Sequence, residues 1–209
     1  MYSFIIEKNT YLKQNIKAFY HIDYVGYQKS GNPDYINILK NTFGTYPDMK
    51  LNIAIQQLKN VLFEDLPQIL QLLQQNSLTV CVIPRAKAEN SYKACQLLLK
   101  STIRNAVNQL DGFYDGTDFL IRHTNTKTTH LRNEIPSYNN DGKTPYSGIT
   151  SDTCHISDSV KGKDILLIDD IYTKSVNIDE DAIQTLLDKG ANSVAFYAIA
   201  RTASNQNII

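Results

Sequence analysis

Short unbroken apolar runs alternate with helical stripes along this chain. The runs at residues 78–83, 165–168 and 193–200 read as strands buried on both faces, as in a parallel sheet. Between them, Tyr92, Cys95, Leu98, Leu99, Thr102, Ala106 and Leu110 recur at helical spacing, and so do Ala182, Ile183, Leu186 and Leu187. Asn177 with Glu180 has the form of a capping pair at the start of that second helix, and Gly190 supplies its stop. Leu51, Ile55, Leu58 and Leu62 mark a helix upstream, and Pro67 is expected to open a separate one. Residues 118–122 read as a short strand. The polar stretch from His123 to about Val160 then predicts a long mobile loop. The pattern is that of an α/β fold with a mostly parallel central sheet flanked by helices.

The run at 165–168 ends in chemistry. Asp169 and Asp170 follow it directly, then a polar loop, Thr173, Lys174, Ser175, Val176 and Asn177, leads into a helix. Ligands of open α/β sheets bind at the carboxyl ends of strands. A helix start offers unpaired N–H groups to an anion, and carboxylates accept hydrogen bonds from vicinal hydroxyls or hold magnesium through its waters. The segment therefore suits a sugar phosphate. Three plainer readings compete. A receiver domain would need about 100 residues after its acids, and 39 follow Asp170. A P-loop ATPase would need a G-x-x-x-x-G-K-[ST] motif, which the sequence lacks. The third is a solvated strand end in an ordinary α/β protein.

Apolar strand, paired acids and a Thr/Ser-rich turn into a helix resemble the phosphoribosyl-diphosphate (PRPP) loop of type I phosphoribosyltransferases. The last unit, ending Ala198-Ile199-Ala200-Arg201, resembles the small competence-protein and amidophosphoribosyltransferase-like members. The likeness covers roughly residues 78–201. It implies a type I phosphoribosyltransferase fold with an N-terminal hood at residues 1–50, a domain at 51–209 and a flexible loop over the site. It also implies transfer of a phosphoribosyl group between PRPP and a nitrogenous acceptor with release of diphosphate. In that scheme Asp169 and Asp170 hold the ribose hydroxyls and assist magnesium through water, and residues 173–177 fix the 5-phosphate. Arg85, Lys87 and Arg122 face the diphosphate, and Arg122, Thr126, Leu131 and Arg132 match the flexible loop. The turn departs from the family pattern at Ser175, where glycine is usual, and at Asn177, commonly Thr or Ser. A degenerate member that senses PRPP or a nucleotide, or serves a protein partner, is the alternative.

Composition bounds the rest. Net charge is zero, which removes the basic kind of nucleic-acid binder. Eight Lys/Arg face four Asp/Glu between Arg85 and Arg132, whereas two face seven between Asp164 and Gly190. Asp179, Glu180 and Asp181 crowd the last helix's first turn, which is compatible with a phosphate only if they point away from the loop. No apolar run approaches 18 residues and no export signal opens the chain, so a soluble cytoplasmic protein without a membrane span is expected. Cys81, Cys95 and Cys154 read as reduced thiols, and Cys154-His155 as neither nucleophile nor metal ligand. Seven of the thirteen tyrosines, Tyr20, Tyr24 and Tyr27 among them, fall in residues 1–50 and suit either a nucleobase or ordinary packing. A homodimer or a protein partner is left open.

Overall fold

A computed structural model of the chain describes residues 1–128, 140–142 and 148–203. The strands are β1 (Tyr2–Ile6), β2 (Ile16–Tyr24), β3 (Leu78–Val82), β4 (Phe113–Asp115), β5 (Leu120–Arg122), β6 (Cys154–Ile156), β7 (Asp164–Tyr172) and β8 (Ser193–Thr202). The helices are α1 (Tyr35–Lys40), α2 (Asp48–Leu72), α3 (Leu98–Val107) and α4 (Ile178–Asp188). Six strands form one sheet in the order β1-β2-β8-β7-β3-β4, parallel throughout except for β1, while β5 and β6 pair antiparallel as a separate ribbon. The expected α/β architecture, a mostly parallel sheet flanked by helices, is present.

Burial follows the pleat of the sheet. Leu166, Ile168, Tyr197 and Ile199 face a core closed by α1, α2 and α3, whereas Ile165, Leu167, Phe196 and Ala198 face one closed by α4 and the β5–β6 ribbon. The two central strands are thus covered on both sides, which is why their sequences run apolar without alternation. Residues 1–50 contribute β1 and β2 to this same sheet, with β2 alongside β8.

Four expectations about elements are corrected. Residues 50–72 are one helix that runs through Pro67. Leu58, Leu62, Leu66 and Ile69 keep one buried stripe across the proline, and Pro67 is exposed, so the carbonyl that its missing N–H leaves unbonded is on the solvent side. The helix expected from Tyr92 begins only at Leu98, because residues 89–96 form two short turns around Arg85. Tyr92 stacks on the Arg85 guanidinium at 4.3 Å, and Gln96 bonds to the carbonyls of Asn41 and Thr42. The polar stretch after Arg122 is not all loop, since it contains β6 and a turn at Asp158–Val160. Residues 129–139 and 143–147, with Leu131 and Arg132, lie outside the described residues. Finally, β7 continues through both aspartates to Tyr172.

A buried polar contact ties α2 to the sheet. Asp65 is wholly buried; its Oδ2 accepts a hydrogen bond from the Tyr197 hydroxyl at 2.7 Å and lies 3.0 Å from His21 Nδ1. Burial and the adjacent carboxylate push the Tyr197 hydroxyl far above its ordinary pKa, so it stays a donor. Replacing Tyr197→Phe removes one hydrogen bond to a carboxylate and should destabilise the fold by about 1.5–3 kcal/mol. Urea denaturation would read this as a lower midpoint at unchanged slope.

Candidate functional site

Parallel strands β2, β8, β7 and β3 end together, and a cavity of about 730 Å³ opens where they end. Of the ten residues singled out from the sequence, Arg85, Lys87, Arg122, Asp169, Asp170, Thr173 and Val176 line it. Lys174, Ser175 and Asn177 do not. Lys174 pairs with Glu7 at 3.2 Å, Ser175 is exposed, and the Asn177 side chain accepts a hydrogen bond from Asn9 at 3.1 Å. Asn177 adopts the left-handed conformation (φ 60°) with no capping hydrogen bond from its side chain, so the expected capping pair does not form. Asparagine tolerates that conformation better than most residues, which lets the loop turn without glycine.

Both aspartates line the cavity, but their side chains take different partners. Asp170 turns toward the α1 side and forms an ion pair with Lys40, the last residue of that helix. Asp169 turns toward α4 and shares a hydrogen bond with Asp179. The first-turn acids therefore do not all point away from the cavity. Asp179 lines it, whereas Glu180 accepts from the Tyr172 hydroxyl at 2.9 Å and Asp181 accepts from the Ile149 N–H at 2.9 Å.

These placements set the electrostatics. Burial raises the Asp169 pKa, opposed by the attraction of Lys40 and the hydrogen bond from Asp179. Burial first, and then the charge of Asp169, hold Asp179 well above the carboxylate range. One proton shared between the two relieves the repulsion of close carboxylates. Burial pushes the Lys40 ammonium down to about 8, against the pull of Asp169. A resident magnesium ion does not fit this donor set. Asp170 already carries an ammonium, Asp169 is committed to Asp179, and magnesium demands an octahedron of free oxygens. Among the described residues, no group of three or more His, Cys, Asp and Glu side chains is arranged to hold a metal.

The three basic residues expected at a diphosphate hold the wall together. Arg85 donates to the carbonyls of Lys40 and Gln96 and to the Thr42 hydroxyl. Lys87, only 7% exposed, donates to the carbonyls of Thr126 and Asp141 and pairs with the Asp141 carboxylate at 3.0 Å. Arg122, 4% exposed, donates to the carbonyls of Arg85 and Gly148, both at 2.7 Å. The Arg122–Thr126 spacing acquires a physical meaning: Arg122 holds the Arg85 carbonyl and Thr126 holds that of Ala86, so together they clamp the loop after β3.

Aromatic side chains complete the wall. Tyr24, Tyr27, Phe43, Tyr46 and Tyr92 line the cavity, and the hydroxyls of Tyr27 and Tyr46 meet at 2.7 Å. Tyr20 lies elsewhere, stacked on Tyr2 at 5.2 Å. Lys40 and Tyr46 escaped sequence reasoning because a six-residue helix and the coil after it carry no periodicity that marks them as site residues. Cys81 and Cys154 are free and buried, and burial lifts the Cys81 thiol to about 12, so neither is a ready nucleophile.

The chain matches no protein-family model, and a comparison with curated proteins finds none that matches it. Among the described residues no helix is long and apolar enough to cross a membrane.

The folded chain retains a proton on Asp179 that the unfolded chain releases, so this group's contribution to stability is present below the ordinary carboxyl pKa and is lost as pH rises through the folded value. Asp179→Asn removes that loss while keeping a donor toward Asp169. Above neutral pH the variant should be the more stable by on the order of 1 kcal/mol. Thermal melts across pH should show the gap closing near pH 4.

Proposed function

We propose that this chain is a phosphoribosyltransferase-like protein of the type I fold, which binds PRPP or a nucleotide in the cavity at the strand ends. The observation that carries the reading is the opening of Asp169, Asp170, Thr173 and Val176 into one cavity beside the loop that leads into α4. Paired acids can take the ribose hydroxyls, the loop's N–H groups and the Thr173 hydroxyl can take the 5-phosphate, and the aromatic wall suits a flat base. A cavity of about 730 Å³ lies within the range of small-molecule sites. Magnesium belongs to the substrate in this scheme, carried in on the diphosphate of PRPP. In the transfer, a nitrogen of the acceptor forms a bond to C1 of the ribose as the C1–oxygen bond breaks and diphosphate leaves with the bonding pair. Positioning and electrostatics supply the catalysis, and a cytoplasmic setting suits such a substrate.

A binding module without turnover is the second reading, favoured by a specific observation. Arg85, Lys87 and Arg122 already donate to backbone carbonyls, which diminishes what they can offer a departing diphosphate.

Calorimetry with the magnesium complex of PRPP tests the shared part. Micromolar binding is expected in the wild type, with at least about a tenfold loss in the double Asp169→Asn, Asp170→Asn variant. Absence of wild-type binding to PRPP and to nucleotides would sink both readings. Diphosphate release in the presence of nucleobases or amines then separates enzyme from sensor.

A further inference from the structure

The corner that presents Lys40 is braced from several sides. Asn41, the next residue, is 2% exposed and left-handed (φ 40°), and its side-chain oxygen accepts the N–H groups of Thr45 and Tyr46 at 3.1 and 3.3 Å. Arg85 donates to the Lys40 carbonyl at 2.6 Å and to the Thr42 hydroxyl at 3.1 Å. Gln96 donates to the carbonyls of Asn41 and Thr42 at 3.2 and 2.8 Å. A lysine on so fixed a backbone is aimed. Its ammonium contacts Asp170 and is attracted by Asp169 and Asp179, which approach from the strand and from α4. Asp179, 3% exposed, also has an oxygen, Oδ1, with no hydrogen-bond partner at this same cavity. Acidic side chains of two elements thus act on one ammonium delivered by a third, Asp170 in contact with it and the hydrogen-bonded Asp169–Asp179 pair near enough to attract it.

We propose that Lys40 is the resident counter-cation of these carboxylates. It stands where a divalent metal would otherwise bind, so that the chain holds no metal of its own and meets its ligand's hydroxyls with an ammonium. The part concerning hydroxyls rests on the phosphoribosyl reading; the counter-cation role does not. Without the ammonium, Asp170 and the Asp169–Asp179 pair with its one shared proton would leave negative charge uncompensated in a buried place, the condition that favours a hard cation with oxygen ligands.

The experiment is a manganese(II) titration of the full chain followed by electron paramagnetic resonance, with no PRPP present. The wild type, Lys40→Arg and Lys40→Met are compared. Wild type and Lys40→Arg should leave manganese free into the millimolar range, and Lys40→Met should bind it at least about tenfold more tightly. Adding Asp170→Asn to Lys40→Met should abolish the gain, which a purely structural role for Lys40 would not produce. Sub-millimolar binding by the wild type would overturn the proposal. So would a folded Lys40→Met that binds no better than wild type. Lys40→Gln replaces the methionine variant if that one does not fold, with the same two readings. Failure of PRPP to bind counts against the proposed function alone, since this titration contains none.

Discussion

The burial of β7 at the centre of the sheet is the constraint on which the site depends. Ile165, Leu166, Leu167 and Ile168 are each fully buried, and the strand is laddered to β3 on one side and β8 on the other. Each such side chain contributes roughly 1.5–3 kcal/mol, so the register cannot slip by one residue without exchanging the two cores. That register fixes the chemistry beyond the apolar run. Over residues 165–168 even-numbered positions face the α1 side and odd-numbered ones the α4 side, whereas beyond them Ile171 packs on the α1 side and Tyr172 on the α4 side. Between these, Asp170 pairs with a lysine and Asp169 with another acid. Two adjacent residues of one type thus acquire different partners at one cavity.

The polar architecture around them follows from the same geometry. A cavity at strand ends must be walled by loops, and loop backbone brings carbonyls that need donors. Arg85, Lys87 and Arg122 supply those donors, linking the loop after β3 to residues 40–42, 126, 141 and 148. Their charge still contributes a positive field to the cavity that the acids of β7 and α4 also line. The cavity is therefore lined by fixed groups of both signs together with aromatic rings.

Much of the fold was legible because burial on both faces leaves unbroken apolar runs, as at residues 165–168 and 193–200. What escaped was whatever lacks a period. Strand β4 and strand β6 have three residues each, too few to show alternation. Pro67 read as a helix start because a proline's effect depends on which face it occupies, and sequence spacing alone did not show that it lies on the exposed one. Within the site, Asp169, Asp170, Thr173 and Val176 were legible as a contiguous motif. Lys40 was not, because its partner lies 130 positions away and only the sheet order brings them together. The basic residues after β3 were found but their partners were not, since backbone carbonyls leave no trace in a sequence.

The central claim is that this cavity receives a sugar phosphate between the loop before α4 and the wall carried by α1. A titration of the isotope-labelled chain with ribose 5-phosphate, read from amide nuclear magnetic resonance shifts, tests it most directly. The account predicts the largest shifts at Thr173, Val176, Ile178 and Asp179, with smaller ones at Tyr24 and Lys40. No shifts at millimolar ligand, or shifts confined to the outer strand β1, would contradict it.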